Sequence, residues 1–170
     1  MKRYLLWLPL LAAAPAGGQA MEDVEGGVSM QLALEAPPVP GVVRLQVVLE
    51  NHGDRPALVP RAVASMDRLL GNVFTVKDAA TGQPVPYAGP MVKRGPLTAA
   101  DYLVLAPGQR HAHVIDIGPA YAFRPGTHTY EVSYSGYYVT DARTPAGVEG
   151  KAAAPGLPLA AQPVAFRLSR

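Results

Sequence analysis

Proline and glycine recur so often along this chain that little room is left for a helix of ordinary length. The sequence carries 18 Pro and 17 Gly among 170 residues, and both residue types disfavour helix interiors. What lies between them alternates by twos. In VSMQLALE, Val28, Met30, Leu32 and Leu34 fall on one face of a strand, with Ser29, Gln31 and Glu35 on the other. In VVRLQVVLEN, Val43, Leu45, Val47 and Leu49 alternate with Arg44, Gln46 and Glu50. Further strands are expected at Ala57 to Val59, Val73 to Lys77, Tyr102 to Leu105, Arg110 to Ile117, Thr127 to Tyr138 and Val164 to Leu168.

The turns fit that reading. NHGD, Asn51 to Asp54, offers residues that tolerate a left-handed backbone. APGQ, Ala106 to Gln109, has the Pro-Gly centre of a type II turn and is expected to close a hairpin. GPAYAF after Ile117 reads as a single helical turn crossing one end of the fold. Seven to eight short strands predict an all-β, Ig-like antiparallel sandwich. Residues 140–162, rich in Ala, Pro and Gly, read as a mobile loop before the last strand. No internal repeat is visible.

The first twenty residues stand apart. Lys2 and Arg3 precede the apolar run Leu5 to Ala14, and Gly18 and Ala20 suit cleavage before Met21. The run is shorter than the roughly 20 residues that span a bilayer, so residues 1–20 are expected to be a signal peptide. Residues 21–170 would then form one exported domain, periplasmic or extracellular, with no membrane attachment. Without Lys2 and Arg3, thirteen basic residues face thirteen acidic ones, and this balance removes the main electrostatic support for nucleic-acid binding. The absence of cysteine excludes both a disulfide framework and lipid attachment through a cysteine.

An ordered set of motifs then becomes visible. It comprises the N-x-G-D turn at Asn51, the F-x-V-x-D strand at Phe74 and P-Y-x-G-x-x-V-K-R from Pro86 to Arg94. D-Y-x-x-L-A-P-G follows at Asp101, then D-I-x-x-A-Y at Asp116 and P-G-T at Pro125. In this order they resemble the non-catalytic N-terminal domain of secreted zinc metallopeptidases of the deuterolysin and peptidyl-Lys metalloendopeptidase family, over about residues 28–138. The resemblance implies a sandwich that inhibits, folds or otherwise assists a peptidase. It does not carry the activity over. None of His52, His111, His113 and His128 lies in an H-E-x-x-H motif, and the resemblance is expected to stop short of the peptidase domain. A non-enzymatic, protein-binding role without a cofactor is therefore expected, with a secreted metallopeptidase as the leading partner.

Candidate contact residues cluster around VPYAGPMVKRGP. Lys93 and Arg94 are either solvent-facing charges that protect an edge strand or a Pro/Gly-framed display of Lys93 to a lysine-accepting pocket. Tyr87 and Tyr102 flank the segment and are expected to pin it by packing. Tyr137 and Tyr138 are expected to add an exposed aromatic patch. His111 and His113 share a strand face and, with Met21 and Met30, form the alternative, a periplasmic copper-binding sandwich. Two histidines without a third placed ligand predict that copper or zinc binds weakly or not at all. The face they share runs on into Ile115 and Ile117, which also fits partly buried structural histidines. His128, just after the P-G-T turn, is expected to close a corner through a ring N–H. No Ser lies in a G-x-S-x-G elbow, and no phosphate loop or paired-carboxylate motif is present.

Overall fold

The computed structural model describes residues 27–35, 41–93, 95, 97–140 and 156–170. The expected alternation produces eight strands: β1 (Val28–Leu34), β2 (Arg44–Asn51), β3 (Ala57–Pro60), β4 (Thr75–Asp78), β5 (Tyr102–Leu105), β6 (Arg110–Asp116), β7 (Thr127–Tyr138) and β8 (Leu157–Ser169). One layer is the sheet β1-β2-β6, the other β4-β7-β8, and all named pairings are antiparallel. A third pair, β3-β5, joins the second layer where Leu58 bridges Val139 at the end of β7. β7 thus has β4 beside its first half and β3 beyond its last residues. The fold is an all-β antiparallel sandwich.

The core lies between the two layers. Leu45, Val47, Leu49 and Ile115 from one sheet and Val76, Tyr130 and Val132 from the other are all essentially inaccessible to solvent. Burying each such side chain contributes roughly 1.5–3 kcal/mol, so the period-2 pattern sets the register of each ladder.

Two expectations are corrected. The APGQ turn forms, with Gly108 at φ +70° and the Gln109 N–H donating to Ala106 O at 3.0 Å. It closes no hairpin, because β5 pairs with β3 and β6 pairs with β2, so the turn carries the chain between layers. Asn51 holds it there. Its Nδ2 donates to Leu105 O (3.0 Å) and Arg55 O (2.8 Å), and its Oδ1 accepts from Gly53 N (3.0 Å).

The last strand begins at Leu157, inside the expected 140–162 loop. Val132 pairs with Val164, but Tyr134 pairs with Ala161, so β8 spends three residues where β7 spends two. Pro163, which has no N–H to give a ladder, lies in this bulge. The bulge changes the inward parity from Phe166 and Leu168 to Leu159 and Ala161, which hides the strand from a period-2 reading. Residues 141–155 lie outside the described residues.

A short helical turn, α1 (Arg61–Ala64), follows Pro60 and buries Val63 and Ala64. No strand or helix was expected there. The helical turn expected after Ile117 is a 3₁₀ turn at Gly118–Ala120. Among the described residues no helix is long and apolar enough to cross a membrane.

Candidate functional site

The segment from Val85 to Lys93 is held at its start between β4 and residues 120–122. Val85 N donates to Val76 O (2.8 Å), Ala122 N to Pro86 O (2.9 Å), and Ala88 N and Gly89 N both to Ala120 O (2.9 and 3.1 Å). The Tyr87 ring stands edge-on to Tyr121 with centroids 5.5 Å apart, and its hydroxyl donates to Pro90 O at 2.8 Å. Burial pushes the Tyr87 hydroxyl above its ordinary pKa. A Cβ at Gly89 would lie 2.7 Å from that hydroxyl and 3.2 Å from Ala120 Cα, so only glycine lets the segment approach so closely. Tyr121 is itself fixed, donating to Phe74 O at 2.5 Å.

Past this clamp the chain turns outward. Val92 N still reaches Leu70 O at 3.2 Å, but Met91 is 79% and Val92 52% exposed, and Lys93 is exposed with them. No ladder includes Lys93, so it does not guard an edge strand. Pro86 and Pro90 supply no N–H, and Ala88 and Gly89 use theirs on Ala120. Arg94 lies outside the described residues.

The four tyrosines divide into separate groups. Tyr87 pins the segment's start as expected. Tyr102 is buried with Leu58 and Val139, and Leu97 packs on this cluster, so Tyr102 meets only the downstream end. Burial, and then a hydrogen bond with Tyr137, raises the Tyr102 hydroxyl far above its ordinary pKa. Tyr137 is 37% exposed, but Tyr138 is buried in the main core. The expected exposed patch of both is corrected to Tyr137 alone, because neighbours on a strand face opposite ways.

The histidines of β6 face inward. Opposite residues of an antiparallel pair share a face, and His111 pairs with Leu49, His113 with Val47. His111 Nε2–H donates to Ala64 O of α1 at 2.8 Å. The two imidazoles have centroids 5.9 Å apart and planes inclined by 27°. Both ring nitrogens of His113 are shielded from solvent and have no hydrogen-bond partner. Burial, and then the neighbouring His111, lowers the His113 pKa from 6.5 to about 4.

That depression sets a pH dependence. Between pH 6.5 and about 4 the unfolded chain binds the proton that folded His113 refuses, so stability is complete above pH 6.5 and falls as pH drops towards 4. The full difference would be ~3 kcal/mol, reduced by partial solvent access to ~1–2 kcal/mol. Urea titrations of the metal-free protein at pH 7.5 and 4.5 should show this loss, and His113→Leu should shrink it.

Met30 does not join the pair. It sits opposite Leu49 with β2 between it and β6, two strand spacings or roughly 10 Å from His111. Met21 lies outside the described residues, and among those described no group of three His, Cys, Asp or Glu could hold a metal ion. His52 is a surface residue whose Nε2 lies 2.8 Å from Ser29 Oγ. His128 closes the corner as expected, with Nε2 2.9 Å from Pro125 O.

Sequence reasoning placed Asp78 at the end of the F-x-V-x-D motif but gave no role to it; it is a buried carboxylate on β4. Its Oδ1 accepts from Ala80 N (3.0 Å) and Thr81 N (3.1 Å), and Oδ2 pairs with Arg124. Burial alone would raise its pKa, but hydrogen bonds from Thr81, Arg124 and Ala80 outweigh it and hold the carboxyl below its usual range. The D-x-x-T-G run after an alternating strand was the available signal for this turn.

No family model and no curated protein matches the chain. A solved structure, described as the X-ray structure of Northeast Structural Genomics Consortium target SoR45, is similar at 14% identity. The match covers 84% of this chain and 83% of that one, with a TM-score of 0.35.

Proposed function

We propose that this domain is exported and acts by protein contact, as a non-catalytic accessory, inhibitor or folding partner of a secreted zinc metallopeptidase. The observation that carries the reading is the outward display of Met91, Val92 and Lys93 beyond a clamp built from Tyr87, Gly89 and Ala120. Two exposed apolar side chains beside a lysine suit a partner with an apolar rim and a carboxylate-bearing pocket. The tethered base limits the ordering entropy lost on binding. The motif resemblance names the peptidase class, and the formally neutral mature chain fits contact through local chemistry rather than long-range charge.

Binding to a purified deuterolysin-type peptidase domain tests the proposal. Lys93→Ala should weaken binding at least about tenfold, because truncating one partner of a buried charge pair costs ~2–5 kcal/mol. The melting temperature should stay within about a degree, since an exposed substitution of this kind changes stability by less than ~0.5 kcal/mol. Unchanged binding in Lys93→Ala, Arg94→Ala and a Met91→Ser/Val92→Ser double variant would reject this segment as the contact. Tyr137 would then be the next surface to test. Intact-mass analysis of exported protein should find Met21 at the N-terminus, and a retained Met1 would refute export.

A further inference from the structure

We propose that His111 and His113 together bind one monovalent copper ion, Cu(I), in a near-linear two-coordinate site between the sandwich layers. This goes beyond the protein-contact role and does not depend on it. Three observations converge on the pair.

The first is the state of His111. A carbonyl oxygen can only accept, so the contact with Ala64 O requires the hydrogen on Nε2. In the neutral ring the lone pair is then on Nδ1. An imidazole that gives its other N–H to a backbone carbonyl has the tautomer and fixed orientation of a metal ligand.

The second is His113, whose two shielded nitrogens have no partner. An unpaired buried polar group is costly and calls for an explanation such as a bound ion. No hydrogen bond restrains this ring, so it can turn about its Cβ–Cγ bond to bring a nitrogen into line.

The third is spacing. With metal–nitrogen bonds of about 2 Å, two imidazoles on one ion have ring centres at most ~6 Å apart, reached when the bonds are nearly collinear. The observed 5.9 Å lies within that limit, with the planes 27° apart, so His113 must turn to bring a nitrogen into line with His111. A collinear pair of nitrogens is what a d¹⁰ monovalent copper ion accepts, whereas zinc requires about four ligands. No third His, Cys, Asp or Glu is grouped with the pair among the described residues. Val47 and Leu49 keep the surroundings apolar, so an ion of lower charge is the less costly one to enclose. The expectation of weak binding drawn from a missing third ligand therefore holds for zinc and not for Cu(I).

The test is anaerobic titration of the purified protein with Cu(I) supplied on a competing chromophoric chelator. One equivalent should transfer to the protein, and X-ray absorption should show two nitrogen neighbours at about 1.9–2 Å with no sulfur shell. His113→Leu removes a ligand and an unpaired polar ring together. It should keep or raise the melting temperature while lowering Cu(I) affinity by about 100-fold or more. His111→Leu should also abolish uptake, with its melting temperature reporting separately the loss of the Ala64 contact. Failure of the wild-type protein to withdraw Cu(I), uptake unaltered by His113→Leu, or a sulfur-containing shell would each overturn the proposal. Zinc bound as tightly as Cu(I) would overturn it too.

Discussion

Replacing Tyr130 by alanine should destabilise the domain by ~3–5 kcal/mol, the range for truncating a large buried aromatic. Tyr130 is 1% exposed in the first half of β7. Its ring stands edge-on to Phe123 with centroids 4.8 Å apart and tilted against Phe166 at 5.8 Å. The hydroxyl accepts a hydrogen bond from Arg124 N at 3.1 Å. Alanine would leave a cavity where β7, β8 and the 121–125 crossing meet, and these strands are too rigidly paired to collapse into it. Tyr130→Phe keeps the ring and should cost only about 1 kcal/mol. Thermal melts of the two variants check both values, with a drop of roughly 10 °C or more expected for alanine and a few degrees for phenylalanine. Similar losses in the two would place the stabilisation in the hydroxyl rather than in packing.

The second large effect is expected at Asn51. Asn51→Ala should cost ~2–4 kcal/mol, because it removes three hydrogen bonds and strands the buried Leu105 carbonyl. The damage is specific in kind. The 51–55 turn and the crossing at 106–109 lean on the same side chain, so both should lose amide-exchange protection while β7 and β8 keep theirs. Asn51→Asp retains the acceptor for Gly53 but loses both donors and brings in a charge, so it should be at least as unstable as alanine. An Asn51→Ala variant melting with the wild type would mean that water replaces all three bonds at no cost.

The sandwich was legible in the sequence because its inward face is written in residues two apart. β1, β2 and β7 appear almost residue for residue, and each has an uninterrupted run of alternation. β8 was half hidden, since its inward residues change parity at the Pro163 bulge and its first half looks like linker composition. The type II turn at Ala106 was readable and its partners were not. Local chemistry fixes a turn, but whether the flanking strands meet each other or two distant strands depends on the rest of the sheet. Tyr138 was misjudged for a related reason, because aromatic character says nothing of which face a residue takes.

The candidate sites show the same division. Tyr87 as a clamp and His128 as a corner were readable from their neighbours in the chain. The Gly89 approach, the Tyr102–Tyr137 pairing and the His111 contact with Ala64 each join residues that only the folded chain brings together. For His111 the missing clue was α1, where a single helical turn turns one backbone carbonyl towards a histidine 47 residues away.

The way strands find their partners has a consequence in time. Among the described strands, only β1 and β2 are both adjacent in sequence and paired across a short connection. β2 waits for β6, β3 for β5, β4 for β7, and β7 for a strand on the far side of residues 141–155. A chain whose ladders close such long loops pays their entropy before any contact repays it, and such topologies fold in milliseconds to seconds, not microseconds. Until β7 arrives, the second layer has no centre, and β4 and β3 have nothing to lie against. A polypeptide built this way keeps its later strands unpaired through that interval, while β1 and β2 can already pair.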